Sequence, residues 1–279
     1  MQKKIFSILS ISKLRYLLLL NLTAFFILIG LYGRNAEYYT TSQTGLFLEI
    51  NKILCVNPEF WLNVTMLGDV AVLLPMLSLA ILSDTRIWSS LIGSIPVALL
   101  LTHGDKLLFK IPRPAAIIDN SHFKIVGSAL KGYTSLPSGH TLTIFAAITI
   151  LLKISVFEKN AKHPVLWTML LALVASVVAV SRIAVGAHWP ADVLTGAVLG
   201  GISGMSGVYI SNRYTAWWRW MNNVKYAQFH IITILLFLYA FSIREQFIAI
   251  YWLSTIIGVF VIANLIAAVF NYRWTLAYS

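Results

Sequence analysis

Apolar residues in this chain form long runs, and polar residues collect in the segments between them. Runs of this kind cross a bilayer as helices, because a span needs about 20 mostly apolar residues. The pattern therefore predicts an all-α fold, a bundle of eight transmembrane helices. The predicted spans cover residues 14–32, 66–83, 88–104, 138–152, 165–182, 191–210, 227–243 and 247–270.

Two of the intervening segments are long. Residues 33–65 include an amphipathic stretch at 45–54, which predicts a helix lying on the membrane surface. Residues 105–137 form the one sizeable polar insertion. The basic N-terminus leads directly into residues 14–32 without a small-residue cleavage site, so we interpret this run as a retained helix.

The composition agrees with a polytopic membrane protein. Of the 279 residues, 58% are hydrophobic and 11% are charged, and the mean hydropathy of +0.79 excludes an ordinary soluble domain. The net charge of +11 does not indicate a nucleic-acid partner, because Lys and Arg flank the apolar runs. The single cysteine, Cys55, excludes an intrachain disulfide and a multi-cysteine metal site.

The distribution of Lys and Arg predicts the orientation. With the N-terminus in the cytoplasm, twelve of the 21 basic residues lie inside and nine lie outside. Three of the nine belong to the candidate site described below, so the remaining bias is stronger. Both termini are therefore predicted to be cytoplasmic.

One stretch between the fifth and sixth runs carries candidate chemistry. Pro190 predicts a helix start and places Asp192 in the first turn, where the helix dipole favours an anion. His188 lies one turn earlier, so the two side chains can pair, which would fix the imidazole tautomer and activate the free ring nitrogen. Arg182 supplies a planar fork for phosphate oxygens. The alternative is a structural ion pair at a helix end.

A second pair of cations follows the third run. Lys106 and Arg113 are seven residues apart, about two helical turns, so they would share one side of a continuing helix. Two cations at a fixed spacing suit a tetrahedral dianion. Pro112 and Pro114 are expected to stop that helix. The alternative is that these are ordinary basic residues flanking a span.

The fourth run opens with Pro137-Ser138-Gly139-His140. Ser138 is a good helix cap, and Gly139 allows a ligand to approach the backbone closely. The free N–H groups at a helix start bind anions, and His140 can act as a general acid near neutral pH. The alternative is a capped helix with an interfacial histidine.

The predicted topology places all three motifs on one side of the membrane, where they form a phosphate site suited to phosphoryl transfer. Four other histidines have no such neighbours in the sequence and are predicted to be structural. They are His103, His122, His163 and His230.

Together, the motifs resemble the signature of the type 2 phosphatidic acid phosphatase (PAP2) superfamily, whose members are membrane lipid-phosphate phosphatases related to bacterial acid phosphatases and vanadium haloperoxidases. The resemblance covers about residues 69–209. It implies a six-helix core at residues 1–212 and leaves two additional spans at 213–279 unexplained. It rests on Lys106, Arg113-Pro114, Pro137-Ser138-Gly139-His140, Ser181-Arg182, His188 and Asp192.

The resemblance also implies a role for each residue. His188 would be the nucleophile that forms a phosphohistidine, and Asp192 would orient it. His140 would protonate the leaving oxygen and then activate water. The phosphate oxygens would be held without a metal or other cofactor by Lys106, Arg113, Ser138, Gly139 and Arg182.

The expected function is hydrolysis of a lipid phosphomonoester or diphosphate at the periplasmic face of a bacterial cytoplasmic membrane. The candidate lipids are an isoprenyl diphosphate, phosphatidylglycerophosphate, phosphatidate and lipid A phosphate, and the sequence does not rank them. The expected partners are this lipid and the bilayer, not nucleic acid. One alternative is a phosphotransferase that uses the same phosphohistidine. The others are a non-catalytic lipid-binding or transport component and a vanadate-dependent haloperoxidase, which the membrane setting disfavours.

Overall fold

A computed structural model describes residues 35–77 and 84–222 and a few single positions on either side. The described residues are helical or irregular, without a strand, which confirms the all-α prediction. Four described helical segments are long and apolar enough to cross a membrane, and they match the third to sixth predicted spans. The predicted spans at 227–243 and 247–270, and most of 14–32, lie outside the described residues.

Nine α-helices are numbered here within the described ranges. In chain order they are α1 (Ala36–Leu54), α2 (Pro58–Met66), α3 (Val70–Leu77), α4 (Thr85–Phe109), α5 (Pro114–Ile117), α6 (Gly139–Leu151), α7 (Pro164–Ala184), α8 (Pro190–Arg213) and α9 (Thr215–Trp218). A π-helical segment, Leu152–Glu158, continues α6.

Helix α8 lies at the centre of the described bundle, between α4 and α6. It runs parallel to α6, and Gly196, Gly200 and Gly204 face the backbone of α6. A Cβ atom on each would lie 2.5–2.6 Å from a carbonyl oxygen of α6 or its N-cap, so only glycine permits this approach. The close contact fixes the start of α8 relative to the start of α6.

Helix α1 differs from the surface helix predicted at 45–54. It begins earlier, where the side chain of Asn35 accepts the N–H of Glu37, and it lies against α7 and α8. Its buried residues follow a four-residue spacing, which defines a single packed face. They include Tyr39, Gln43, Phe47 and Asn51.

The predicted second span at 66–83 is also different. Helix α2 ends at Met66, a turn follows, and α3 begins at Val70. The break has a local cause, because the carboxylate of Asp69 accepts the N–H of Ala71 at 2.9 Å and so caps α3. Residues 78–83 lie outside the described ranges.

Candidate active site

The ends of α4 and α7 and the starts of α6 and α8 meet at one end of the bundle. The N–H of Ser138, at the start of α6, donates to the carbonyl oxygen of Asp192 in α8 at 3.0 Å. Backbone bonds also close the turn after α7, since Ala187 and His188 both donate to the carbonyl oxygen of Arg182. The three sequence motifs therefore converge on one site.

The carboxylate of Asp192 is completely buried and fully hydrogen-bonded. Its Oδ1 accepts the hydroxyl of Tyr39 at 2.7 Å, and its Oδ2 accepts the hydroxyl of Ser135 at 2.5 Å. Oδ2 also accepts the backbone N–H of Trp189 at 2.8 Å and lies 3.3 Å from Nδ1 of His188. Donors on both oxygens fix the position of the carboxylate.

The neighbours of His188 define its tautomer. Nη1 of Arg113 lies 3.2 Å from Nε2 of His188. A guanidinium can only donate, so Nε2 is the acceptor and the ring proton is on Nδ1, facing Asp192. This arrangement presents the lone pair of Nε2 to the site, as a nucleophile requires.

The electrostatic surroundings keep His188 uncharged. Burial, together with the positive charges of Arg113, Arg182 and Lys106, holds the pKa of His188 well below its ordinary value. A neutral imidazole retains the lone pair needed for attack on phosphorus.

Arg113 reaches the site by a route different from the one predicted. Helix α4 ends at Phe109, with Lys110 in the left-handed conformation at φ 46°, so Lys106 and Arg113 do not share one continuous helix. Arg113 lies in an extended segment directly before α5, which Pro114 begins rather than ends. The indole N–H of Trp189 donates to the carbonyl oxygen of Pro112 at 2.7 Å and holds this segment against the site.

Arg182 is buried near the end of α7. Its Nη1 donates to the hydroxyl of Thr65, and its Nε has no acceptor among the described residues. A buried N–H without a partner is costly, so this donor indicates a place for an anionic ligand oxygen.

His140 lies in the first turn of α6, and its Nε2 is 3.8 Å from Oδ2 of Asp69. Ser138 caps the same helix: its hydroxyl oxygen lies 3.5 Å from the N–H of Thr141 and accepts the hydroxyl of Thr141 at 2.9 Å. The predicted cap is therefore confirmed. Ser138 is fully buried, whereas Gly139 lies at the edge of a groove.

Two cavities meet at His140 and Asp69, which line both of them. The smaller cavity, of about 160 Å³, is also lined by Arg182 and Thr65. The larger, an apolar groove of about 470 Å³, extends along α3, α4 and α6. The small cavity, which holds one cation, Arg182, and one carboxylate, Asp69, therefore lies next to the apolar groove.

Comparison with known proteins agrees with this geometry. A family model described as the PAP2 superfamily matches residues 87–224, which include all three motifs. The chain belongs to the PAP2 superfamily. Its long apolar helices and its membership of this family together identify it as an integral membrane protein.

Two solved PAP2 structures resemble the fold. The crystal structure of Aquifex aeolicus LpxE matches with a TM-score of 0.50 and 29% identity, over 60% of this chain and 94% of that one. A transmembrane PAP2 type phosphatidylglycerolphosphate phosphatase from Bacillus subtilis matches with a TM-score of 0.54 and 20% identity, over 71% of this chain and 97% of that one. At this identity, the second likeness concerns the fold alone.

A curated relative gives a shorter match. The lipid A 1-phosphatase of Porphyromonas gingivalis is 38% identical over 87 residues, which is 31% of this chain. The matched segment spans only 18% of that relative's length.

The histidines outside the PAP2 motifs do not converge on the site. His103, His122 and His163 are exposed. His230 lies outside the described residues.

Sequence reasoning missed several residues that support the PAP2 motifs: Tyr39, Thr65, Asp69 and Ser135. The four-residue spacing of polar and aromatic side chains in α1 was a signal for Tyr39, since Tyr39 and Gln43 share its buried face. Gln43 accepts the N–H of Ala191 at 2.7 Å and so secures the start of α8. Ser135 carries no comparable local signal.

Proposed function

We propose that this protein is a metal-independent phosphatase that hydrolyses the phosphomonoester or diphosphate of a membrane lipid. The observation that carries the proposal is the pairing of His188 with both Asp192 and Arg113, which leaves a neutral imidazole with its Nε2 lone pair facing the site.

The first step transfers the phosphoryl group to the protein. Nε2 of His188 attacks phosphorus, the bond between phosphorus and the lipid oxygen breaks, and His140 gives its proton to that oxygen. The products are a lipid alcohol, or a lipid monophosphate from a diphosphate, and a phosphohistidine. Asp192 accepts the Nδ1–H of His188 throughout and stabilises the positive charge that forms on the ring.

The second step returns the protein to its starting state. His140, now neutral, removes a proton from water, and the water oxygen attacks phosphorus. The phosphorus–nitrogen bond breaks, inorganic phosphate leaves and His188 regains its lone pair. Each group ends in its original protonation state, so the cycle balances.

The cations stabilise charge on the phosphoryl oxygens. A phosphate oxygen can replace Nε2 of His188 as the acceptor for Arg113, which exposes the nucleophile as substrate binds. The unpartnered Nε of Arg182 supplies a second donor, and Lys106 and the backbone N–H of Gly139 complete the cradle. Such fixed donors stabilise the transition state without reorganising during the reaction.

The apolar groove supports a lipid substrate. Its wall on α4 extends from Leu91 to Thr102, roughly 16 Å along the helix. Leu99 and Val70, both in its lining, are exposed side chains within a membrane-embedded bundle. A lipid tail that enters here from the bilayer places its phosphate beside His140, the group that protonates the leaving lipid oxygen.

The setting and first substrate also belong to the proposal. We place the site at the periplasmic face of a bacterial cytoplasmic membrane, with both termini inside. Lipid A phosphate is the first substrate to test, because the curated relative acts on it. Phosphatidylglycerophosphate, phosphatidate and isoprenyl diphosphate complete the panel.

The test is phosphate release by the purified protein and its His188→Ala variant, in detergent with EDTA. We expect release by the wild type alone and no loss on chelation. Release by a folded His188→Ala variant contradicts the nucleophile assignment, and loss with EDTA contradicts metal independence. Wild-type protein that forms a phosphorylated acceptor lipid instead of inorganic phosphate is a phosphotransferase.

A further inference from the structure

A second carboxylate lies beside the proton donor of this site. Asp69 is buried in the turn between α2 and α3, with Oδ2 3.8 Å from Nε2 of His140. Its other oxygen, Oδ1, accepts the N–H of Ala71 at 2.9 Å. The carboxylate is therefore positioned by the start of α3, independently of the hydrogen bonds around Asp192.

The backbone of this turn is pressed against the same histidine. A Cβ atom on Gly68 would lie 2.8 Å from Cβ of His140 and 2.9 Å from its carbonyl oxygen. Real Cβ atoms do not approach this closely, so only glycine permits the contact. The absence of a side chain at Gly68 is thus what allows Asp69 to reach His140.

The pair of Asp69 and His140 lies beside both cavities of the site. Asp69 and His140 line two cavities. One is the small cavity that is also lined by Arg182, and the other is the apolar groove. A lipid phosphate that extends from the groove into the small cavity, toward Arg182, passes its ester oxygen by these two residues. The carboxylate therefore lies where the leaving group is protonated.

We propose that Asp69 is a positioning residue that orients His140 and keeps it protonated for transfer to the leaving lipid oxygen. The inference rests on the proposed function. An anion at this distance attracts the positive charge of the imidazolium. The carboxylate of Asp69 stabilises the imidazolium again when His140 takes a proton from water.

The test removes the charge and keeps the shape. In Asp69→Asn the amide oxygen can still cap α3, so the turn is retained while the anion is lost. Asp84→Asn is the matched control, because Asp84 caps α4 in the same way at the far end of that helix from Lys106. Both variants are compared with the wild type in detergent.

Two phosphate monoesters separate positioning from structure. One has an alkyl alcohol as leaving group, which needs a proton, and the other has an alkylated nitrophenol, which does not. With the alkyl ester we expect Asp69→Asn to lose at least roughly tenfold in kcat. With the nitrophenyl ester, the burst rate of nitrophenolate release should match that of the wild type and of Asp84→Asn.

The pH profile supplies a second readout. On the alkyl ester, the alkaline limb of kcat/KM should move to lower pH in Asp69→Asn, by about one unit, because the imidazolium has lost its nearby anion. Asp69→Glu should restore part of the wild-type profile. Gly68→Ala should reproduce the selective loss on the alkyl ester, since the added methyl group separates the turn from His140.

The outcomes separate this inference from the proposed function. If the wild type releases phosphate and Asp69→Asn equals it on the alkyl ester with an unchanged profile, Asp69 has no part in proton transfer. An equal loss on both esters, with an unmoved profile, assigns Asp69 to structure and also overturns the inference. A wild type that releases no phosphate from any lipid rejects the proposed function, and this inference falls with it.

Discussion

The hydroxyl of Tyr39 donates a 2.7 Å hydrogen bond to Oδ1 of Asp192, across 153 residues of chain. Tyr39 belongs to α1, which precedes the three PAP2 motifs in the chain and contains none of their residues. The same helix also holds the start of α8 through Gln43. Helix α1 therefore supports Asp192, the partner of the proposed nucleophile His188, and is not a peripheral surface element.

Replacing Tyr39 with phenylalanine tests this support. Tyr39→Phe leaves Oδ1 of a buried carboxylate without its donor, a change that costs about 1.5–3 kcal/mol for a charged acceptor. We expect kcat to fall roughly tenfold, because Asp192 orients His188 less firmly. Tyr38→Phe is the control, since Tyr38 is the exposed neighbour on the same helix. Equal rates for the two variants would show that the bond is not needed for catalysis.

The parts of the site that sequence could predict are those set by short spacing. His188 and Asp192 are four residues apart, and a helix starting at Pro190 places them together without reference to the rest of the chain. The cap at Ser138 is local in the same way. Short spacing therefore predicted the contact between His188 and Asp192 and the cap at Ser138.

The parts that sequence could not predict depend on long-range packing or on backbone detail. Tyr39 and Asp69 reach the site from other helices, and no spacing links them to the motifs. The approach of Arg113 was predicted wrongly because the left-handed turn at Lys110 ends α4 before Arg113. The stretch at 45–54 is amphipathic and therefore resembles a surface helix, but it is the second half of α1, where the amide of Asn51 donates to the carbonyl oxygens of Lys124, Ile183 and Ala184.

Replacing Asp192 with asparagine tests the tautomer of His188. An amide NH₂ in Asp192→Asn can donate to Nδ1, which moves the ring proton to Nε2 and removes the nucleophilic lone pair. We expect kcat to fall by about two to four orders of magnitude while the fold persists. Asp119→Asn, in the exposed loop, should retain full activity. A near-normal rate for Asp192→Asn would mean that the contact between His188 and Asp192 is structural and not catalytic.

The environment of His188 predicts a dependence of stability on pH. Its pKa is well below the ordinary value when folded and returns to about 6.5 when unfolded, so the unfolded chain binds more protons below that pH. This contribution to stability is complete above about pH 6.5 and is lost as the pH falls through and below that value. We expect the thermal midpoint to drop more between about pH 7 and pH 5 in the wild type than in His188→Asn.

An exposed histidine provides the control for that measurement. His122→Asn, in the loop between α5 and α6, should show the same acid-induced drop as the wild type. The same environment keeps His188 neutral, so if His188 is the nucleophile the acid limb of kcat/KM should lie below about pH 6.5. Parallel drops for wild type and His188→Asn would mean that His188 is solvated in the folded protein.

The glycine contact between α6 and α8 predicts a coupled loss of stability and activity. In Gly200→Ala, the new Cβ would lie 2.5 Å from the carbonyl oxygen of Leu142 and 2.7 Å from Cβ of Phe145, so the helices must separate. Overpacking of this kind costs about 1–3 kcal/mol. Activity should fall as well, because α8 carries Asp192 and α6 carries His140.

A glycine without such neighbours separates packing from helix propensity. In Gly45→Ala, on α1, the new Cβ meets nothing within 4 Å, so the change should stabilise the helix by about 0.5–1 kcal/mol and leave kcat unchanged. Thermal unfolding and phosphate release, measured on Gly200→Ala and Gly45→Ala, distinguish the effect of helix packing from that of helix propensity. If Gly200→Ala is as stable and active as Gly45→Ala, the two helices can move apart without disturbing the site. The site would then be held together by its hydrogen bonds alone, chiefly those to Asp192, rather than by the glycine contact.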